Sequence, residues 1–248
     1  MRNTPHDVHD DLRRFWNADA DVYDRSPTHA GTHPVEGAAW RAALLRHLPP
    51  PPARILDVGA GTGAISLLAA ELGFDVTAFD LSPAMLDVAA RKAADRGVAL
   101  HTEVGLATEP PAGPFDAVVE RHVLWTLPDP VAALRAWREI APRLVSFEGV
   151  FVRSGIGHDL RHAVARVLRR LRGVEPEHHA EYAPDLIASL PLAGRTTPAT
   201  LIEAMAEAGW GRYRLERLRD VEWARRRAAP WPLGWVEGVP YFALVAEG

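Results

Sequence analysis

A carboxylate and three glycines lie close together, Asp57-Val58-Gly59-Ala60-Gly61-Thr62-Gly63, and a further carboxylate, Asp80, closes the next strand-like run. Ile55 to Val58 reads as a strand carrying an acid near its end, followed by a turn with glycine at every second position. Ala64 to Leu72 reads as a helix closed by Gly73, and Phe74 to Asp80 as a second strand ending in an acid. Strand, glycine turn, helix, strand and acid in that order make a nucleotide-binding unit. Glycine allows positive φ and close approach of backbone to a ligand. Dinucleotide sites carry G-x-G-x-x-G with pyrophosphate on the helix N-terminus, whereas the spacing here is G-x-G-x-G. Asp57, two residues before the first glycine, would repel pyrophosphate and suit a cation. Asp80 has two acceptor oxygens and can take both hydroxyls of a ribose.

A second set of residues could move a proton. Glu120-Arg121-His122 follows a run read as a strand over 115–120, at the carboxyl edge where α/β sites open. Histidine is matched to proton transfer near neutral pH. His122 is read as a general base or substrate orienter, with a hydrogen bond that braces the loop as the plainer alternative. Arg121 either anchors an acidic group or braces Glu120. The chain has 11 histidines, several in pairs: His29 with His33, His158 with His162, and His178 with His179 near Tyr182. His178 and His179 could meet a substrate as proton acceptors. No recognised metal motif accompanies them, and no metal is expected.

Alternating elements position these groups. Strands are expected over about 54–58, 74–80, 98–104, 115–120 and 143–152. Ser82 caps the helix after the second strand, Pro83 opens it and Gly97 stops it. Another helix covers 130–140. This alternation calls for a mainly parallel sheet covered on both faces. Thr197-Pro198 opens a later helix, and strands near 212–221 and 240–246 follow with no convincing helix between them. His158 to Arg172 reads as a basic amphipathic helix. The arginines at 161–172 and 225–227 read as solvated faces.

Taken together, these segments resemble the class I S-adenosylmethionine-dependent methyltransferases, over about residues 40–152 and in outline in the C-terminal fifth. Asp57-x-Gly59-x-Gly61-x-Gly63 resembles their first motif and Asp80 their ribose-binding acid. Asp80-Leu81-Ser82-Pro83-Ala84-Met85-Leu86 is a common continuation in small-molecule members. Phe115 to Val119 and Leu124 to Pro130 resemble their fourth-strand region. Tyr23-Asp24 resembles a Tyr-Asp element whose tyrosine closes over the cofactor near the methyl group. The resemblance implies a Rossmann-like α/β fold, with a seven-stranded sheet containing one antiparallel strand and a helical lid. It implies S-adenosylmethionine as cofactor and S-adenosylhomocysteine as product. Cofactor contacts would come from Tyr23, Asp57, Gly59, Gly61, Gly63, Asp80, Leu81, Met85, Leu106, Ala107, Glu120 and Arg121. Gly105-Leu106-Ala107 departs from the family's usual Gly-Asp-Ala, so adenine would be met by backbone there. His122 would face the transferred methyl, and Tyr23 would serve as both a cofactor and a catalytic contact. Trp16, His33, Trp125 and Tyr182 would line the acceptor's place.

The expected layout is one domain: an N-terminal helical cap over 1–47, a cofactor-binding core over 48–152, a lid insertion over 153–196 and the rest of the sheet over 197–248. The chain has 248 residues, net charge −4 and no cysteine, which excludes disulfides, cysteine metal sites and thiol nucleophiles. No apolar run approaches the ~20 residues of a membrane span, and the polar start does not read as a signal peptide. A cytoplasmic enzyme is expected, as a monomer or homodimer, acting on a small specialised metabolite of the kind met in antibiotic biosynthesis, with neither nucleic acid nor membrane as partner. The acceptor atom stays open between nitrogen, oxygen and activated carbon. A binding protein that kept the pocket and a NAD-type oxidoreductase are the rivals.

Overall fold

The computed structural model describes residues 5–25, 29, 33–152, 156–173, 180–236 and 238–248. Helices α1 (Pro5–Asp19) and α2 (Pro34–His47) precede β1 (Arg54–Val58). Then come α3 (Ala64–Glu71), β2 (Asp75–Asp80), α4 (Pro83–Arg96), β3 (His101–Val104), β4 (Ala117–Arg121), α5 (Pro130–Ile140) and β5 (Arg143–Gly149). After β5 lie β6 (Phe151–Val152), α6 (Ile156–Arg172), α7 (Pro184–Ala188), β7 (Arg195–Thr196) and α8 (Pro198–Glu207). The chain closes with β8 (Gly211–Arg217), α9 (Arg219–Ala228), α10 (Leu233–Val236) and β9 (Tyr241–Glu247).

Seven strands form one sheet in the order β3-β2-β1-β4-β5-β9-β8. The pairs from β3 to β5 are parallel, and β9 runs antiparallel to both its neighbours. The single antiparallel strand is therefore β9, as the resemblance implied. A strand buried on both faces reads as a nearly continuous apolar run, and β1 does so at Ile55, Leu56 and Val58, with Asp57 as its one buried acid. Ile55 packs with Leu44, Leu68 and Phe147 on one side, and Leu56 with Leu134, Leu144 and Leu201 on the other. The chain turns one way from β1 to β2 and the other way from β1 to β4, which opens a crevice at the carboxyl ends between them.

Local chemistry sets the helix ends. The Ser82 hydroxyl accepts the Met85 N–H at 3.2 Å, Pro83 opens α4, and Gly97 closes it in the left-handed region. Asp129 caps α5 by accepting the Ala132 N–H at 2.8 Å. Thr197 and Thr200 cap α8 reciprocally.

The strand expected to run to 221 stops at Arg217, and helix α9 follows where none was expected. Leu218, Val221 and Ala224 recur every three residues, and all are fully buried. That spacing is helical and packs α9 on α2. The arginines of α9 differ from one another. Arg225 donates to the fully buried Glu36 at 2.9 Å, so it is a structural cation rather than part of a solvated face. Beside α1, Leu186 and Leu190 pack with Val8 and Leu12. The N-terminal helix and the end of the 153–196 segment thus meet over the sheet.

Candidate functional site

The three glycines of the turn serve three different purposes. All have positive φ: +66° at Gly59, +55° at Gly61 and +82° at Gly63. A Cβ at Gly59 would lie 2.3 Å from Val123 Cγ2, so this glycine admits the loop after β4. A Cβ at Gly63 would lie 2.9 Å from Ala89 Cβ, so this one lets α3 pack on α4. A Cβ at Gly61 would meet nothing within 4 Å. Its backbone faces open space, as a ligand cradle requires. Gly59 and Gly61 line the cleft, while Gly63 does not and is corrected to a packing role.

The Asp80 carboxylate accepts the Gly61 N–H and the Ser82 N–H, each at 2.8 Å, and lines the cleft with Leu81 and Met85. Burial raises its pKa, opposed by those backbone bonds. Leu106, Ala107 and Thr108 form the adjoining wall. The Trp137 indole donates to the Ala107 carbonyl at 2.8 Å, and the Glu109 N–H to the Leu106 carbonyl at 2.8 Å. These two bonds fix the loop. The space is about 880 Å³, counting the part open to solvent.

Asp57 lies one step deeper, 2 % exposed, and borders a smaller recess with Tyr23, Thr62 and Arg121. Its carboxylate accepts from the Ser66 hydroxyl. Burial pushes its pKa up to about 7, against the pull of Ser66 and Arg121. Glu120 is fully buried, with its oxygens taken by the Ser146 hydroxyl and the Val123 N–H. It too is raised to about 7, chiefly by burial. It borders neither space, so its expected cofactor contact is corrected to a floor beneath the site.

The opposite side of the cleft holds a pair that sequence reasoning found only in half. His122 lines the cleft with φ 63°, a strained conformation for a non-glycine residue. Its Nδ1 lies 2.8 Å from Glu148 Oε2. Glu148 is fully buried. Burial and the neighbouring Glu120 raise its pKa well above the carboxylate range. Burial, Arg121, Arg225 and His29 lower the His122 pKa well below its usual value. Both directions favour uncharged partners joined by a proton. A signal for Glu148 was present. Ser146 and Glu148, two apart in a strand that is apolar from Leu144 onward apart from them, fall on one face of β5, and Ser146 pairs in register with Glu120.

Arg121 borders both spaces, and its guanidinium lies 5.4 Å from the Trp40 ring. Trp16 and Tyr23 line the cleft. Their rings meet edge-on at 5.8 Å, and Tyr23 stacks on His29 at 4.3 Å. Tyr182 and Trp125, expected in the pocket wall, meet edge-on at 5.9 Å outside it. Tyr182 meets Trp16 at 6.0 Å and Phe15 at 4.2 Å, so these rings back the wall and do not form it. His33 precedes α2, where its carbonyl accepts the Gly37 N–H, away from the cleft. His178 and His179 lie outside the described residues.

Two further groups tie the cap to the glycine turn. Asp24 accepts the Thr62 hydroxyl at 2.7 Å and pairs with Lys92 at 2.7 Å, and Lys92 also donates to the Thr62 carbonyl at 2.8 Å. No group of three or more potential metal ligands occurs among the described residues. Among them no helix is long and apolar enough to cross a membrane.

The sheet order, the single antiparallel strand and the acid–glycine turn at the switch point define the class I S-adenosylmethionine-dependent methyltransferase fold. The chain matches the family described as methyltransferase domain over residues 55–145. It is 40% identical over 129 residues to the ubiquinone biosynthesis O-methyltransferase of Xanthomonas campestris pv. campestris strain B100, covering 50% of this chain and 49% of that protein. The chain thus spans about half the length of the curated relatives it matches. Magnesium protoporphyrin IX methyltransferase from Synechocystis PCC 6803, solved with S-adenosylhomocysteine, is similar with TM-score 0.57 at 16% identity, over 96% of this chain and 98% of that one. Mitomycin 7-O-methyltransferase is similar with TM-score 0.55 at 16% identity, over 86% of this chain and 54% of that one. At such identities the structures speak for the fold alone.

Proposed function

We propose that this protein transfers a methyl group from S-adenosylmethionine to a hydroxyl oxygen of a small aromatic or amphiphilic molecule. One observation carries the reading: a single cleft has Asp80 and the open backbone of Gly61 on one side, and His122 backed by buried Glu148 on the other. The sulfonium supplies a methyl already activated for in-line displacement, so the chain's own tasks are alignment, exclusion of water and removal of a proton. Asp80 holds ribose hydroxyls, while Leu81 and Met85 flank adenine. Asp57 and Glu120 set a negative floor that favours a cationic donor. Trp16 and Tyr23 cover the transfer path, and the meeting of α1 with residues 182–190 forms the lid.

His122 takes the acceptor's proton. With one proton on the pair, Nδ1–H points to Glu148 and Nε2 is the accepting nitrogen. With a second proton Nε2 cannot accept, so kcat/KM rises with pH as the pair loses it. A proton acceptor is needed for a hydroxyl more than for a free amine, which favours oxygen among the candidate atoms. Several relatives are named O-methyltransferases, in the same direction. A specialised metabolite handled in the cytoplasm fits this reading better than a macromolecule does.

Calorimetry with S-adenosylhomocysteine tests the donor side. Asp80→Ala weakens binding by roughly 1.5–3 kcal/mol, the loss of charge-assisted hydrogen bonds. Unchanged affinity would remove Asp80 from the site. Labelled methyl offered with phenols, amines and carbon acceptors then tests the chemistry. Label on oxygen supports the reading. Binding without any transfer would favour a module that kept the pocket alone.

A further inference from the structure

Away from the cleft, α6, α9 and α10 form a face unlike the rest of the surface. On α6, Val164, Val167 and Leu171 stand at i, i+3 and i+7, and are 42, 58 and 76 % exposed. That spacing puts them in one stripe along the helix. Arg166 and Arg170, both exposed and one turn apart, run alongside as a cationic row. Helix α10 packs against α6. Trp235 on α10 is 58 % exposed, and Trp231 just before it is 71 % exposed. On α9, Trp223 is 51 % exposed. Two of these indoles already carry a cation, with Arg226 5.4 Å from the Trp235 ring and Arg227 5.6 Å from the Trp223 ring. Six large apolar side chains exposed in neighbouring elements exceed the scatter expected of a soluble surface.

We propose that this face docks on the surface of an anionic lipid bilayer. Charge selects the partner: the chain as a whole carries −4, yet Arg166, Arg170, Arg226 and Arg227 gather here. Chemistry selects lipid over a polyanion. Valine and leucine offer nothing to a bare phosphate backbone, whereas an interfacial helix sinks such a stripe at the acyl boundary with arginine among the headgroups. Indole rings settle at that same depth. The attachment lies on the surface and does not span, and among the described residues no helix is long and apolar enough to cross. The expectation of no membrane partner rested on the lack of spanning segments, whereas the proposal concerns attachment to the surface. The proposal is independent of the methyl-transfer reading, since none of these residues borders the cleft.

Flotation of the full chain with vesicles tests it. Vesicles of phosphatidylglycerol with phosphatidylcholine should carry the protein up, vesicles of phosphatidylcholine alone should carry at least ten-fold less, and 0.5 M salt should release it, because the attraction of the arginines to anionic headgroups is screened by salt. Arg166→Glu with Arg170→Glu, and separately Leu171→Asp, should each cut the bound fraction about ten-fold while S-adenosylhomocysteine affinity stays unchanged. Trp231→Ser with Trp235→Ser provides a variant outside α6, with the same result expected. Equal binding to both vesicle types, or no binding to either, overturns the proposal. So does a wild-type dimer that Leu171→Asp converts to monomer without any lipid binding, which would assign the face to a second copy of the chain.

Discussion

The two sides of the cleft are made in different ways. The donor side is nearly continuous in sequence: Gly59, Gly61, Asp80, Leu81 and Met85 fall between the end of β1 and the first turn of α4. Much of its chemistry is backbone, as in the open cradle at Gly61 and the two N–H groups that hold Asp80. The acceptor side gathers His122 from the end of β4, Glu148 from the end of β5, and Trp16 and Tyr23 from the cap. Its chemistry is in side chains, joined across strands and across long stretches of chain. The donor side is suited to one fixed ligand, whereas the acceptor side can change its substrate by changing a few residues without disturbing the sheet.

The largest expected effect breaks the acceptor side alone. His122→Ala should lower turnover by ~10²–10⁴, the usual worth of a positioned general base. Affinity for S-adenosylhomocysteine should stay within about two-fold, because the donor side is untouched. Glu148 acts through His122, so Glu148→Gln tests a positioning role. It should lower kcat and displace the acid limb of the pH–rate profile while leaving donor affinity in place. A glutamine that changes only thermal stability and not the profile would show that the 2.8 Å contact is structural. Equal losses of turnover and donor affinity in both variants would mean that the two sides do not act separately.

A second test uses the carboxylates under both sides. Asp57 beneath the donor side and Glu120 beneath the acceptor side are each held near pKa 7 by burial. An unfolded chain releases these protons near pH 4. Between pH 4 and 7 the folded protein therefore binds more protons than the unfolded one, and stability falls as pH rises until the folded groups ionise. From pH 6 to 8 each group should cost about 1.4 kcal/mol, so Tm should fall by on the order of 5 °C for a chain of this size. A cationic donor favours the ionised carboxylates. The Tm gain on adding S-adenosylmethionine should then grow with pH, and grow more than the gain from S-adenosylhomocysteine, which lacks the sulfonium charge. Equal growth for the two ligands would show that the floor does not sense the charge at sulfur. Asp57→Asn should flatten the slope if the donor side dominates, and Glu120→Gln if the acceptor side does.

This contrast explains what could be read from sequence. The turn at 57–63, the acid at 80 and the caps at Ser82 and Gly97 were legible because each is a local demand of backbone geometry on residue type. Glu148 was not singled out, because its role depends on β5 lying beside β4 and on the register that aligns Ser146 with Glu120. Glu120 was misplaced for a related reason. It precedes two residues that do line the cleft, but strand alternation turns its carboxylate down to Ser146. The third glycine looked like its neighbours, and only the packing of α3 on α4 distinguishes it. Helix α9 was hidden by its composition. Four arginines and two acids in ten residues mask the short apolar face of Val221 and Ala224, so the pattern becomes helical only once that face is seen against α2.

The smallest effect joins the two sides. Asp24 belongs to the cap that brings Tyr23 over the cleft, yet it bonds to Thr62 in the glycine turn and to Lys92 on α4. Burial lowers the Lys92 pKa, while Asp24 opposes that shift. Asp24→Asn keeps the shape and an acceptor for Thr62 but removes the charge that compensates Lys92. Lys92 is 18 % exposed, so water relieves part of the loss, and about 1–2 kcal/mol is expected rather than the ~3–5 of a fully buried pair. Thr62→Val removes one neutral hydrogen bond and should cost about 1 kcal/mol or less. The readout is protease cleavage within the cap of the full chain, which reports local opening when reclosing is fast. Cleavage should accelerate in both variants, more in Asp24→Asn, and added S-adenosylhomocysteine should slow it in proportion to its occupancy. If cleavage accelerates with no change in donor affinity, the cap serves the acceptor side alone. If both change together, closing the cap is part of holding the donor.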